Sequence, residues 1–177
     1  ADVMTALGAA TASSTDEIAA GLEKFVAVSN TVGLSYEYAT SALATVTATT
    51  RQSADVVGTA FKTLFARIQD LELGKTLDDG TTLGKYSQAL ETVGISIKTA
   101  DGGLREMDDI LSDLGEKWNS FDAEGNPLIS DDAKIALAQT VAGVRQYTQL
   151  IALMDNWDFM KENLETARNA TGTLNEQ

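Results

Sequence analysis

The chain has 177 residues, which suits a single domain, and its 26 acidic and 13 basic residues give a net charge of −13. It has no cysteine and no histidine, which excludes disulfides, thiol chemistry and histidine-dependent catalysis and removes the usual zinc ligands. So acidic a surface repels nucleic acid and anionic lipid, because binding to either depends on lysine and arginine.

The composition predicts an all-α fold, either a multi-helix bundle or an extended helical array. Alanine (25 residues) and threonine (21 residues) make up more than a quarter of the chain, and Pro127 is the single proline. No apolar run approaches the roughly 20 residues that span a bilayer, and the N-terminus lacks the pattern of a signal peptide. Because the chain begins at Ala1 rather than at methionine, we expect it to be part of a longer protein.

The first part of the chain, residues 1–71, is predicted to be helical. Ser14 begins a capping box, after which apolar residues repeat at helical spacing as far as Gly33, where the helix is expected to end. Ser35 is expected to cap the next helix, which is rich in alanine and threonine, weakly amphipathic and ends near Thr50.

The helix that follows has the clearest pattern. Ser53 or Asp55 is expected to cap it, and apolar residues recur along one face at intervals of four and three. These residues are Val57, Phe61, Leu64, Ile68 and Leu71, with Phe65 beside them. Charged and polar residues lie off this stripe, which predicts one buried and one solvated face.

Residues 72–104 are predicted to form an irregular insert between two helical parts. Glycines interrupt a polar loop, and a short helix is expected over residues 85–92, ending at Gly94.

A minor β-ribbon is expected near residues 81–98. Residues 95–98 alternate apolar and polar side chains before a glycine-rich turn at 101–103, which is typical of a short extended arm. The candidate partners for this arm are residues 81–83 and the segment around Pro127.

The last part, residues 105–171, is predicted to be helical again. Its first helix carries an apolar stripe made of Met107, Ile110, Leu111, Leu114, Trp118 and Phe121. Ser130 is expected to cap a second helix, which Gly143 is expected to bend. A final long helix is expected to place its apolar residues on one side: Tyr147, Leu150, Met154, Trp157, Met160, Leu164 and Ala167.

Paired carboxylates are the first candidates for chemistry, as general acid and base in glycoside cleavage. The pairs are Asp108 with Asp109 and Asp131 with Asp132. Adjacent residues on a helix point about 100° apart, so neither pair converges on one substrate. Both pairs fall in a first helical turn, where acidic residues stabilise the helix dipole, and we interpret them as structural.

Ion-binding loops are the second candidates. The segment 122–126 begins like an EF-hand loop, but Gly125 is not at the position where a calcium loop has its glycine. Pro127 and Ala133 also stand at positions where a calcium loop has other residues. The segment 78–80 departs similarly, and Gly102-Gly103 follows an acid that would repel phosphate. We interpret all three as surface turns.

Exposed aromatic or basic residues are the third candidates. Trp118 and Trp157 continue apolar stripes, as do Met154 and Met160, so core burial is the expected interpretation. Four arginines are scattered in the sequence and form no basic cluster for nucleic acid: Arg51, Arg67, Arg105 and Arg145. The residues therefore predict no catalytic, cofactor-binding or metal-binding site, and no enzyme.

A series of short motifs nevertheless occurs in a distinctive order. The early ones are S-T-D-E-I-A at 14–19, V-G-L-S-Y-E at 32–37 and S-A-D-V-V-G-T-A-F-K-T at 53–63. The later ones are L-E-T-V-G-I-S-I-K at 90–98, D-G-G-L-R-E at 101–106, D-I-L to Trp118, A-G-V-R-Q at 142–146 and A-R-N-A-T-G at 167–172. Over about residues 14–172 this series resembles the core region of phage tail tape measure proteins, of the siphophage and prophage type. Residues 122–130 depart from the resemblance as an additional loop.

The resemblance implies a structural protein whose length sets the length of the tail and around which the tail tube assembles. It implies assembly chaperones, the tube protein and further copies of the chain itself as partners. It places the protein in the virion tail, after assembly in the host cytoplasm, and implies a later role in DNA ejection. Coiled coils and membrane-active segments of that family would lie outside this chain.

Two other functions stay open from the sequence. One is a generic helical interaction or scaffold module, which failure to bind any tail protein would favour. The other is a peptidoglycan-cleaving tail domain, which turnover of cell-wall fragments would favour, although no acid–base pair of suitable geometry is present.

Overall fold

A computed structural model describes residues 2–10 and 14–176, and every regular element in these residues is a helix, which confirms the all-α class. The helices are α1 (Asp2–Ala10), α2 (Thr15–Glu23), α3 (Val26–Val32), α4 (Tyr36–Thr50), α5 (Ala54–Glu72), α6 (Leu83–Glu91), α7 (Met107–Trp118), α8 (Asp131–Ala142), α9 (Tyr147–Asp155) and α10 (Trp157–Glu176). The N-terminal helix α1 packs against the C-terminal helix α10.

Serine side chains begin helices where the sequence predicts them. The hydroxyls of Ser14, Ser35, Ser53 and Ser130 each accept a hydrogen bond from the backbone N–H three residues later, at 3.1–3.2 Å. These bonds satisfy N–H groups that have no partner inside the first turn. Gly33, with φ 91°, ends α3 as predicted.

Helix α4 forms the centre of the fold. Its residues from Tyr38 to Thr47 are all buried, because α1, α2, α3, α5, α9 and α10 pack around it. Its hydroxyls donate to carbonyl oxygens one turn earlier, as Thr40 does to Tyr36 and Thr45 does to Ser41, both at 2.7 Å. These local bonds allow a threonine-rich helix to be buried on all sides, and the all-round burial explains its weak amphipathic pattern.

Helices α2 and α5 cross at close range on small residues. A methyl group at Gly21 would lie 2.6 Å from the carbonyl oxygen of Ala54, and a methyl group at Gly58 would overlap the carbonyl oxygen of Gly21. The same contact places the rings of Phe25 and Phe61 with centroids 5.3 Å apart. The predicted apolar stripe of α5 is buried throughout.

One apolar core extends from Val3 in α1 to Ala167 in α10. The region 72–104 belongs to this core, because residues such as Tyr86 and Ile97 are buried in it. The accessible surface is 8857 Å², close to the roughly 8,300 Å² expected for a compact protein of 18.8 kDa. Of the two predicted arrangements, the bundle is therefore the one observed.

The helix predicted to run from Ser14 to Val32 is divided into α2 and α3. The backbone leaves the helical region at Phe25, where φ is −134° and ψ is 0°. This change of direction sets the Phe25 ring against Phe61 and Phe65, so tertiary packing overrides the local helical pattern.

The C-terminal helices are also more divided than predicted. Gly143 ends α8 rather than bending it, since its φ of 86° and ψ of 160° lie in a region open essentially to glycine alone. The final helix is broken at Asn156, whose side-chain Nδ2 donates to the carbonyl of Ala152 at 2.8 Å. Beyond this break α10 continues to Glu176, past the predicted end at residue 171.

The expected β-ribbon is reduced to a single antiparallel bridge between two residues. No strand forms in the described part of the chain. Residues 95–98 alternate buried and exposed side chains as predicted. The bridge joins Lys98 to Leu104, rather than joining the arm to residues 81–83 or to the segment around Pro127. The intervening turn is short, so pairing across it has a lower entropic cost than pairing with a distant segment.

Candidate functional site

The two carboxylate pairs lie at the starts of α7 and α8 and do not converge. Asp131 and Asp132 are both exposed in the first turn of α8. Asp108 is half-buried, and its burial together with the charge of Asp109 raises its pKa. The backbone N–H of Asp108 donates to the carbonyl of Gly33 at 3.1 Å, which anchors α7 to the end of α3. As predicted, both pairs therefore lie in the first turn of a helix, where their negative charge stabilises the helix dipole.

The carboxylates of the candidate ion-binding loops are used by their own turns. Asp122 accepts hydrogen bonds from the backbone N–H groups of Glu124 and Asn126, at 3.0 and 2.8 Å. In the other loop, hydrogen bonds from Thr81 and the guanidinium of Arg67 hold the pKa of Asp79 below its usual value. Across the residues described, no group of three or more acids is placed to hold a metal ion.

Both tryptophans are core residues, as predicted. Trp118 and Trp157 are 1 % and 3 % exposed. The indole N–H of Trp118 donates to Asp155 at 2.8 Å and that of Trp157 to Glu116 at 3.2 Å. Trp157 lies directly over Gly115, where a methyl group would overlap the ring. The pair ties α7 to α9 and α10 and offers no binding surface.

A groove of about 830 Å³ lies between α5, the loop that follows it and the turn from α8 to α9. We call it the α5/α8 groove. It brings Arg67 and Arg145, which are scattered in the sequence, onto one surface. The charged residues of its lining are Lys62, Arg67, Lys75 and Arg145 with Asp70, Asp78 and Asp79. On a chain of net charge −13, this lining has one more cation than acids.

Ion pairs occupy part of the α5/α8 groove. Arg67 pairs with Asp79 at 2.9 Å and also donates to the carbonyl of Thr140 at 3.0 Å, so it joins α5 to α8. Lys75 pairs with Asp70 at 3.2 Å. These cations are engaged in holding the groove together.

Two further cations of the α5/α8 groove are exposed. Lys62 and Arg145 form no ion pair with any residue that the structure describes. Apolar surface lies beside them, at the half-buried Leu77 and at Val144, which is 68 % exposed. No local pattern links these residues, because they come from separate segments that only the packing of α5 on α8 brings together.

The loop between α7 and α8 forms a second distinct surface, which we call the 120–128 hairpin. An antiparallel bridge joins Phe121 to Pro127, and the N–H of Leu128 donates to the carbonyl of Ser120 at 2.9 Å. Phe121 is 67 % exposed, so its predicted place in the apolar stripe of α7 is wrong. The helix ends at Trp118, and the chain beyond it follows the hairpin, not the helical repeat.

Two carboxylates that no sequence motif links, Glu72 and Glu106, lie near each other where α5 ends and α7 begins. Burial of Glu72 and the negative charge of Glu106 raise the pKa of Glu72. Glu106 lies against the backbone of Gly33. The two residues are distant in the sequence, so no spacing rule could have paired them.

We expect Glu72→Gln to stabilise the protein at neutral pH. When folding raises the pKa of a carboxyl group, the folded protein loses stability as the pH rises above the pKa of that group in the unfolded chain, which is 4.5 for Glu72. The gain at pH 7 should be about 0.5 kcal/mol, small because Glu72 is only partly buried, or about 1–2 °C in Tm. Thermal unfolding followed by circular dichroism at about pH 4 and pH 7 measures it.

The control for this substitution is Glu91→Gln, at the exposed end of α6. It removes one negative charge without relieving a buried carboxylate. An equal gain in both variants, or a gain that persists at about pH 4, would show that Glu72 carries no specific penalty.

Comparison with known proteins connects this helical body with a family. The family described as phage-related minor tail protein matches residues 1–143, which covers α1 to α8 and ends at the glycine that terminates α8. No solved structure matches the chain. A minor tail protein is a structural component of the phage tail, and the residues described above form packing surfaces and turns. The chain belongs to the family of phage-related minor tail proteins.

Proposed function

We propose that this chain is the core region of a tail tape measure protein, within a longer polypeptide, and that it helps to set tail length and to template assembly of the tail tube. The observation that carries the proposal is the family match over residues 1–143. The ordered series of motifs over residues 14–172 supports the finer assignment. The role is structural, and we propose no catalytic activity for this segment.

The proposed mechanism is packing and displacement. Small residues let the helices approach closely, as at the Gly21–Gly58 crossing. The net charge of −13 repels DNA phosphates, so a segment of this kind would not hold back DNA that follows it through the tail.

None of the described helices is both long enough and apolar enough to cross a membrane.

The proposed partners are the tail assembly chaperones, the tail tube protein and other copies of the chain. Assembly would take place in the host cytoplasm and would leave the protein in the virion tail, from which it would act in DNA ejection. Exposed charged residues on helical surfaces are suited to such protein contacts, because complementary charges across an interface guide association and fix its register.

The compact bundle has a quantitative consequence for tail length. A single continuous helix of this length would span about 265 Å, at 1.5 Å per residue. A folded body of the same length has a radius of gyration of about 16 Å and is therefore about 40 Å across. The contribution of residues 1–177 to tail length reports which state the segment adopts in the tail.

The test is an in-frame deletion of residues 1–177 in the phage, with tail length measured by electron microscopy. We expect tails shorter by about 40 Å if the segment stays folded and by about 265 Å if it is extended. The control replaces the segment with an unrelated extended helix of equal length, which should recover tail length if the segment is extended and should give tails about 225 Å longer if it is folded. Complete tails of unchanged length after the deletion would refute a tape measure role for this segment.

A further inference from the structure

The 120–128 hairpin presents a preformed apolar and acidic tip. The carboxylate of Asp122 holds the turn through its two backbone hydrogen bonds, and a methyl group at Gly125 would meet no atom within 4 Å. Phe121 and Pro127 are directly paired, so both side chains are on one face of the hairpin. An exposed phenylalanine on an ordered turn binds with little loss of conformational entropy.

The charges of the hairpin and of the α5/α8 groove are complementary. Glu124 is exposed at the hairpin tip and forms no ion pair within the described chain. Lys62 and Arg145 are the two exposed, unpaired cations of the groove. The groove also offers apolar surface at Leu77 and has a volume typical of pockets that receive ligand groups.

The two surfaces cannot meet within one molecule. They lie at opposite ends of α8: the hairpin leads into Asp131, whereas Ala142 and Gly143 line the groove. A helix of 12 residues is about 18 Å long, and no residue of the hairpin is part of the groove lining. A contact between them therefore requires a second copy of the chain.

We propose that the 120–128 hairpin of one copy docks in the α5/α8 groove of a second copy. Phe121 would lie against the apolar surface of Leu77 and Val144, and Glu124 would lie beside Lys62 and Arg145. The contact joins two different surfaces, so each pair retains one free groove and one free hairpin. Repetition produces a head-to-tail row or a closed ring. The proposal rests on the self-association proposed above and does not depend on the tail-length role.

The test compares the wild-type 177-residue chain with two variants and one control variant by sedimentation velocity. The hairpin variant carries Phe121→Ser with Glu124→Gln, and the groove variant carries Lys62→Glu with Arg145→Glu. All four positions are exposed, and circular dichroism checks that both variants retain the helical fold. Wild-type protein should show a mass that rises above 18.8 kDa with concentration and falls with added salt.

The decisive measurement is the mixture of the two variants. Each variant alone lacks one half of the contact and should remain at 18.8 kDa. Mixed, they retain one intact hairpin and one intact groove, so they should form a one-to-one dimer and nothing larger. The matched control is Val56→Ser. It removes an exposed apolar side chain that belongs to neither surface, so this variant should associate like the wild type.

Three results would overturn the proposal: a wild-type chain that stays monomeric up to about 1 mM, a single variant that associates as the wild type does, or a mixture that stays monomeric. These outcomes leave the tail-length experiment unaffected, since deletion of the whole segment does not depend on this contact. Conversely, unchanged tail length would leave the solution contact standing.

Discussion

Gly58→Ala is expected to lower the free energy of unfolding by about 3 kcal/mol, at the upper end of the cost of overpacking, and the Tm by about 6–12 °C. The added methyl group would overlap the backbone carbonyl oxygen of Gly21. Backbone cannot move aside as a flexible side chain can, so α2 and α5 must separate. Separation also loosens the contact of Phe25 with Phe61.

Urea and thermal unfolding followed by circular dichroism measure this loss. Gly172→Ala is the matched control, because Gly172 is also in a helix but faces open space. Alanine stabilises a helix relative to glycine, so the control should gain up to about 1 kcal/mol. If Gly58→Ala also gains stability, α2 and α5 do not cross backbone to backbone.

Trp118→Ala is expected to cost about 3–5 kcal/mol, the range for removing a buried large aromatic side chain. Trp118 is 1 % exposed, and its indole N–H donates to Asp155 at 2.8 Å. The ammonium group of Lys134 lies 5.3 Å from the ring centroid. The substitution therefore removes contacts that join α7 to both α8 and α9, and unfolding in urea should show the loss as a lower midpoint.

Phe121→Ala is the control for the tryptophan substitution. In the sequence both residues belong to one apolar stripe, but Phe121 is 67 % exposed in the hairpin. Its loss should change stability by less than about 0.5 kcal/mol when measured in dilute monomeric protein. Similar losses in the two variants would indicate that Phe121 is buried as the stripe predicts and would contradict the hairpin geometry.

Helix starts and helix faces were predictable because they depend on neighbours in the chain. Ser35, Ser53 and Ser130 cap helices through hydrogen bonds that span three residues, and sequence alone contains that spacing. The apolar stripe of α5 recurs with the helical period for the same reason. The all-α class follows from many such local agreements, together with a single proline.

Helix breaks were less predictable, because distant partners decide them. The pattern around Phe25 continues a helix, yet packing against Phe61 and Phe65 turns the chain there. Asn156 interrupts the final helix between Asp155 and Trp157. Both of these residues form hydrogen bonds with α7, Asp155 with Trp118 and Trp157 with Glu116. In both places the burial of several side chains outweighs the loss of a few backbone hydrogen bonds of the helix.

The sequence by itself determined the helical class, the serine caps, the buried stripes and the absence of cysteine and histidine chemistry, because each is local or compositional. Only the tertiary structure decided that α4 is buried on every side and that Lys62 and Arg145 share one groove. It also decided that Phe121 points to solvent. These properties depend on which segments pack together, and packing is a sum over contacts between residues far apart in the chain, which no periodicity records.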